Sequence, residues 1–133
     1  MAWIKCDSGR SFVQAEQITK IWGTYQENPV MGYSGVKSTI MITALDSGNE
    51  ESIISRIELD YNPFDDKKDT QVKYEDAKKN WELEVIHQTD KYMKEILIEI
   101  TKQIDTAIKT KEHQILDFST IRVRDPKLPK NLS

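Results

Sequence analysis

Apolar residues change their period once along the chain. In the first sixty residues they alternate with polar ones. "WIKC" (3–6) is followed by the turn residues "DSGR", and "SFVQAEQITKIWGTY" then resumes a broken strand pattern. "VKSTIMITAL" and "ESIISRIEL" flank a second turn, "DSGN", the clearest hairpin signal in the chain. This stretch predicts four or five antiparallel strands in a β-meander over residues 1–60. "QENPVMGYSG" is too long for a tight turn, so it reads as a hairpin tip or as a contact loop presenting Met31 and Tyr33.

"DYNPFDDKKDT" breaks the pattern and predicts a linker over 61–70 with a helix cap at Asp69 or Thr70. From 71 to 112 there is no glycine or proline. Tyr74, Ala77, Trp81, Val85, Tyr92, Met93, Ile96, Leu97, Ile100, Ile104 and Ile108 recur there at three- and four-residue intervals, an amphipathic helical pattern. The register weakens at "HQTD" (87–90), so one long helix or two consecutive helices both fit residues 71–113. Forty helical residues would span about 60 Å, against a radius of gyration of about 14 Å for a compact chain of this size. The expectation is therefore either a break near His87 or an apolar face packed on another subunit in a homo-oligomer. "ILDFSTIRV" predicts a final strand over 114–124, and the proline-containing remainder, 125–133, a flexible tail or lid. The fold class is α+β in a single domain.

Composition adds limits. The apolar fraction is 38% and the charged fraction 31%, a lean core for 133 residues. No segment reaches the length and hydropathy of a membrane span, and the start lacks the layout of a signal peptide, so a cytosolic protein is expected. Cys6 is the only cysteine, which excludes an internal disulfide. With only His87 and His113 beside it, the chain offers no metal set and no nucleophile–base pair, and it has no glycine-rich phosphate loop. No catalytic group, metal or cofactor is expected.

The net charge of −3 conceals an asymmetry. Residues 118–133 carry four basic and one acidic side chain, leaving 15 basic against 21 acidic elsewhere. An acidic body opposes binding to long nucleic acid, yet a small anion in a local basic pocket meets no such objection. Two of the four arginines, Arg122 and Arg124, lie two residues apart. In a strand they would share one face about 6.6–6.8 Å apart, suited to gripping two phosphates through paired N–H donors. Asp125 could orient one arginine or accept from a ribose hydroxyl. Trp81 and Tyr92 are candidate platforms on which a base would stack.

The chain size, the N-terminal antiparallel sheet, the long helical region and the segment "IRVRDP" with its short tail together resemble the phage Thoeris anti-defence proteins. Those sponges sequester cyclic nucleotide signals of bacterial immunity. The resemblance implies that Arg122 and Arg124 hold the phosphates of a cyclic ADP-ribose isomer and that "DPKLPK" closes as a lid. It also implies a second type of pocket, for cyclic di- or trinucleotides, at subunit interfaces, for which Arg56 is the candidate. On this reading the protein is a non-catalytic homo-oligomer in the cytoplasm of an infected bacterium. The alternative is a small protein-interaction module of a phage or mobile element, with no nucleotide ligand.

Overall fold

The computed structural model describes residues 1–29, 36–61 and 74–124; the side chains of 28, 29, 36, 60, 61 and 74–82 lie outside the description. Strands β1 (Ala2–Lys5), β2 (Phe12–Gln14), β3 (Ile18–Pro29), β4 (Val36–Asp46) and β5 (Glu51–Tyr61) precede helix α1 (Tyr74–Thr110) and strand β6 (Gln114–Leu116). The class is α+β, with antiparallel strands, one long helix and a short last strand.

The strands form two sheets instead of one meander. β3, β4 and β5 make the antiparallel meander, while β1 pairs antiparallel with β2 and parallel with β6, in the order β2-β1-β6. Both turn motifs behave as their residues require. Gly9 takes φ 71° in "DSGR", and its N–H donates to the Cys6 carbonyl at 2.9 Å. In "DSGN" the left-handed position belongs to Asn49 (φ 61°), and Asp46 Oδ1 accepts from the N–H groups of Gly48 (2.8 Å) and Glu50 (3.0 Å).

α1 runs unbroken through "HQTD". The stripe continues there because Thr89 is fully buried between Val85 and Tyr92, its hydroxyl donating to Ser38 Oγ of β4 at 3.3 Å. Nor does the stripe wait for another subunit. Val85, Thr89, Tyr92, Met93, Ile96, Ile100, Ile104 and Ala107 are all buried by the chain's own sheets. Strands of 11 or 12 residues reach about 36–40 Å, enough to underlie the roughly 33 Å from Val85 to Ala107.

From the sheet, Ile40, Ile42, Ala44, Ile57 and Leu59 face the helix, as alternation demands. A bulge in the β4–β5 pairing at Ile42/Thr43 lets consecutive residues Ile54 and Ser55 both turn inward. Gly23 of β3 sits directly under Met93: a Cβ there would lie 2.8 Å from Met93 Cγ and Sδ. The helix ends with Lys111 in the left-handed region (φ 56°), and the Gln114 side chain donates back to the Thr110 hydroxyl at 3.1 Å.

Candidate functional site

β6 stops at Leu116, which overturns the expected strand over 114–124. Two side-chain bonds turn the chain away from the ladder. Asp117 Oδ1 accepts from the Ser119 N–H at 2.9 Å, and buried Ser55 of β5 donates its hydroxyl to the Phe118 carbonyl at 2.8 Å. The Phe118 ring is buried in the core, and the Ile121 N–H turns back to the same carbonyl at 3.3 Å. The Ser119 donation holds the Asp117 carboxyl below its ordinary pKa, so the turn is secured while that group is ionised.

The arginines therefore do not share a strand face. Arg122 is exposed, with its guanidinium on its neighbour's carbonyl (Ile121 O, 2.7 Å). Arg124 instead folds onto α1. Its guanidinium forms a 2.8 Å ion pair with Glu95 and lies 5.4 Å from the centre of the Tyr92 ring, while the Tyr92 hydroxyl donates to the Arg124 carbonyl at 3.0 Å. Tyr92 is 1% exposed, so it positions an arginine and offers no open face to a base, contrary to its expected role as a stacking platform.

Beside this arginine lies an open cavity of about 260 Å³ lined by Glu95, Ile98, Glu99, Lys102, Val123 and Arg124. A second cavity of about 380 Å³ shares Glu99 and Lys102 with it and continues along the helix to Glu112 and Gln114. Together they form a groove between the helix flank and the segment after β6. Its floor is apolar at Ile98 and Val123, and its rim holds two cations and three carboxylates. Glu95, Ile98, Glu99, Lys102 and Val123 were not among the residues expected from sequence. The available signal was helical spacing, because Tyr92, Glu95, Glu99 and Lys102 stand three or four residues apart on one flank.

Arg56 is not part of this groove. It pairs with Asp7 (Nε to Oδ2, 3.2 Å) and lines a separate cavity of about 390 Å³ with Cys6, Ser8, Ser11 and Glu50–Ile53. Tyr33 and Asp125 lie outside the described residues, as does the Trp81 side chain. Cys6 is buried and both histidines are exposed; among the described residues no cluster of His, Cys, Asp and Glu could hold a metal ion. No protein-family model, curated protein or solved structure matches this chain.

Proposed function

We propose that this protein is a non-catalytic binder of a small phosphate-bearing ligand, and that the ligand is a cyclic nucleotide signal. Sequestering that signal would counter bacterial anti-phage defence inside the infected cell. The observation that carries the reading is the placement of Arg124. Its guanidinium is backed by an aromatic ring and borders a groove with a second cation, Lys102, and an apolar floor. An arginine held this way has already lost much of its side-chain freedom, which lowers the entropic cost of gripping a phosphate. Glu95 is its present partner, and a ligand phosphate would replace that carboxylate by an equivalent charge-assisted pair. Arg122 stands two residues away and exposed, and would exchange its bond to the Ile121 carbonyl for one to a second phosphate. Among the described residues no helix is long and apolar enough to cross a membrane.

The test is calorimetric titration with cyclic ADP-ribose isomers and with cyclic di- and trinucleotides, followed by heat release and chromatography of the ligand. The proposal expects binding with unchanged ligand recovered. Arg124→Ala should weaken it about tenfold or more. Glu95→Gln, which removes a competing negative charge, should tighten it about fivefold. No heat with any of these ligands, or turnover of the ligand, would defeat the proposal. A second reading, a protein-interaction module, is favoured by Leu83, Ile98 and Ile115, which are 62%, 57% and 60% exposed. It expects no nucleotide binding and recovery of a defined partner by pull-down.

A further inference from the structure

The groove beside Arg124 changes character along its length. Glu99 and Lys102 line both of its cavities and mark the junction between them. On one side lies the smaller cavity, with the Arg124 guanidinium and the apolar floor of Ile98 and Val123. On the other lies the larger one, about 380 Å³, which runs past Gln103 and Thr106 to Glu112 and Gln114. The two differ in hydrogen-bonding sense.

In the larger cavity most side-chain donors are already committed within the protein. Gln114 turns its amide N–H groups back to the end of α1, donating to the Thr110 hydroxyl at 3.1 Å and to the Ala107 carbonyl at 3.4 Å. A carbonyl can only accept, so the orientation of this amide is fixed, and its own carbonyl oxygen is what Gln114 has left to offer. Gln103 donates to Glu99 Oε1 at 3.0 Å, one turn back along the helix, and likewise keeps its carbonyl oxygen. The Thr110 hydroxyl gives its proton to the Ala107 carbonyl at 3.0 Å. Glu99 and Glu112 add carboxylates, which accept only. Past Lys102, the side-chain donors left among the described lining residues are the Thr106 hydroxyl and one N–H of Gln103. The cavity also lies along the last turn of α1, which ends at Thr110, so the negative end of the helix dipole faces it.

We propose that this larger cavity is a subsite for an uncharged, hydroxyl-rich part of the ligand, a sugar with free hydroxyls, while the ligand's phosphate is held at Arg124 and Lys102. The inference rests on the phosphate-binding reading of the same groove and gives that ligand a direction. A phosphate placed at Gln114 would meet two carboxylates, two amide carbonyls and a helix C-terminus, all of which repel it. Sugar hydroxyls donate to those same acceptors and can accept from Thr106 and Lys102 in return. An ammonium group would also satisfy the acceptors, but it would lie beside Lys102, a charge of its own sign. Lys102 thereby stands at the link between phosphate and sugar, where a cation and a hydroxyl are both served.

NMR titration of the isotope-labelled full chain tests the inference. The probes are pyrophosphate and three five-carbon phosphate esters: ribose phosphate, pentyl phosphate and aminopentyl phosphate. Pyrophosphate should move the Arg124 and Lys102 signals and leave the side-chain amides of Gln103 and Gln114 in place, whereas ribose phosphate should move both sets. Ribose phosphate should bind about tenfold or more tightly than pentyl phosphate, the worth of one or two hydrogen bonds to charged acceptors. Glu99→Gln should narrow that ratio while tightening pyrophosphate, because it removes a competing charge; a variant that had lost its fold would bind neither. Equal affinity for ribose and pentyl phosphate would overturn the inference and leave the phosphate reading standing. So would aminopentyl phosphate binding more tightly than ribose phosphate. Pyrophosphate that leaves Arg124 and Lys102 unmoved would overturn both.

Discussion

The helix has two working sides, and they are held in opposite ways. Toward the sheets, eight buried positions from Val85 to Ala107 meet β3, β4 and β1 mainly through apolar packing shared over many side chains. Toward the groove, the segment 117–124 is fixed by a few discrete bonds: Asp117 to Ser119, Ser55 to Phe118, Tyr92 and Glu95 to Arg124. The first arrangement supplies stability, and the second sets the direction of individual groups. A candidate binding arginine sits on the second, where exchange of one ion pair does not disturb the core.

The largest effect that would sharpen this contrast is expected at Ile100, fully buried in the stripe. Ile100→Ala should cost about 2–5 kcal/mol, seen as a lowered midpoint in urea unfolding. Gly23→Ala comes next. Its Cβ would collide with Met93, and a forced shift in a packed core costs about 1–3 kcal/mol; a stability equal to wild type would mean that helix and sheet separate easily. Ser55→Ala should cost about 1 kcal/mol, the usual worth of one hydrogen bond, with hydrogen exchange accelerated mainly over residues 117–124 and little changed in α1. Uniform loosening of both regions would break the comparison.

The smallest effect is in acid. The Glu16 carboxylate is held below its ordinary pKa by its own N–H and by that of Ala2, and the Asp117 carboxylate by Ser119. A carboxylate with a lowered folded pKa adds stability above its unfolded pKa, and that contribution is lost as pH falls through the folded value. Stability should therefore decline on acidification through the carboxylate range. Asp117→Asn should flatten that decline in a pH series of thermal midpoints.

These regions also differ in how far they could be read from the chain. Helical periodicity over many turns makes the apolar stripe legible on both sides of "HQTD", while at Thr89 a break into two helices fits the sequence equally well. Thr89 itself is not legible as core, since a hydroxyl suits a core position only when a partner such as Ser38 is brought opposite by the fold. Alternation in "STIRV" covers too few residues to distinguish a strand from an irregular segment. Its conformation is decided by Ser55, 63 positions before Phe118 in the chain, and no local pattern reports that bond. The arginine doublet lies in the segment that borders the groove, but not in the geometry that strand spacing implied. The partner of Arg124, Glu95, emerged only when helix and segment were seen together. The second sheet escaped for the same reason, because the parallel pairing of β1 with β6 joins residues more than a hundred positions apart.

That pairing has a consequence for the chain's synthesis. Ala2, Trp3 and Ile4 are opposed by Gln114, Ile115 and Leu116, so β1 leaves the ribosome more than a hundred residues ahead of the strand it pairs with. At about 5–20 residues per second, β1 waits several seconds or more for its neighbour, with only the three-residue hairpin partner β2 to shelter it. During that interval the nascent chain presents Trp3 and Ile4 on an unfinished edge, which is where a chaperone would have reason to bind and then let go.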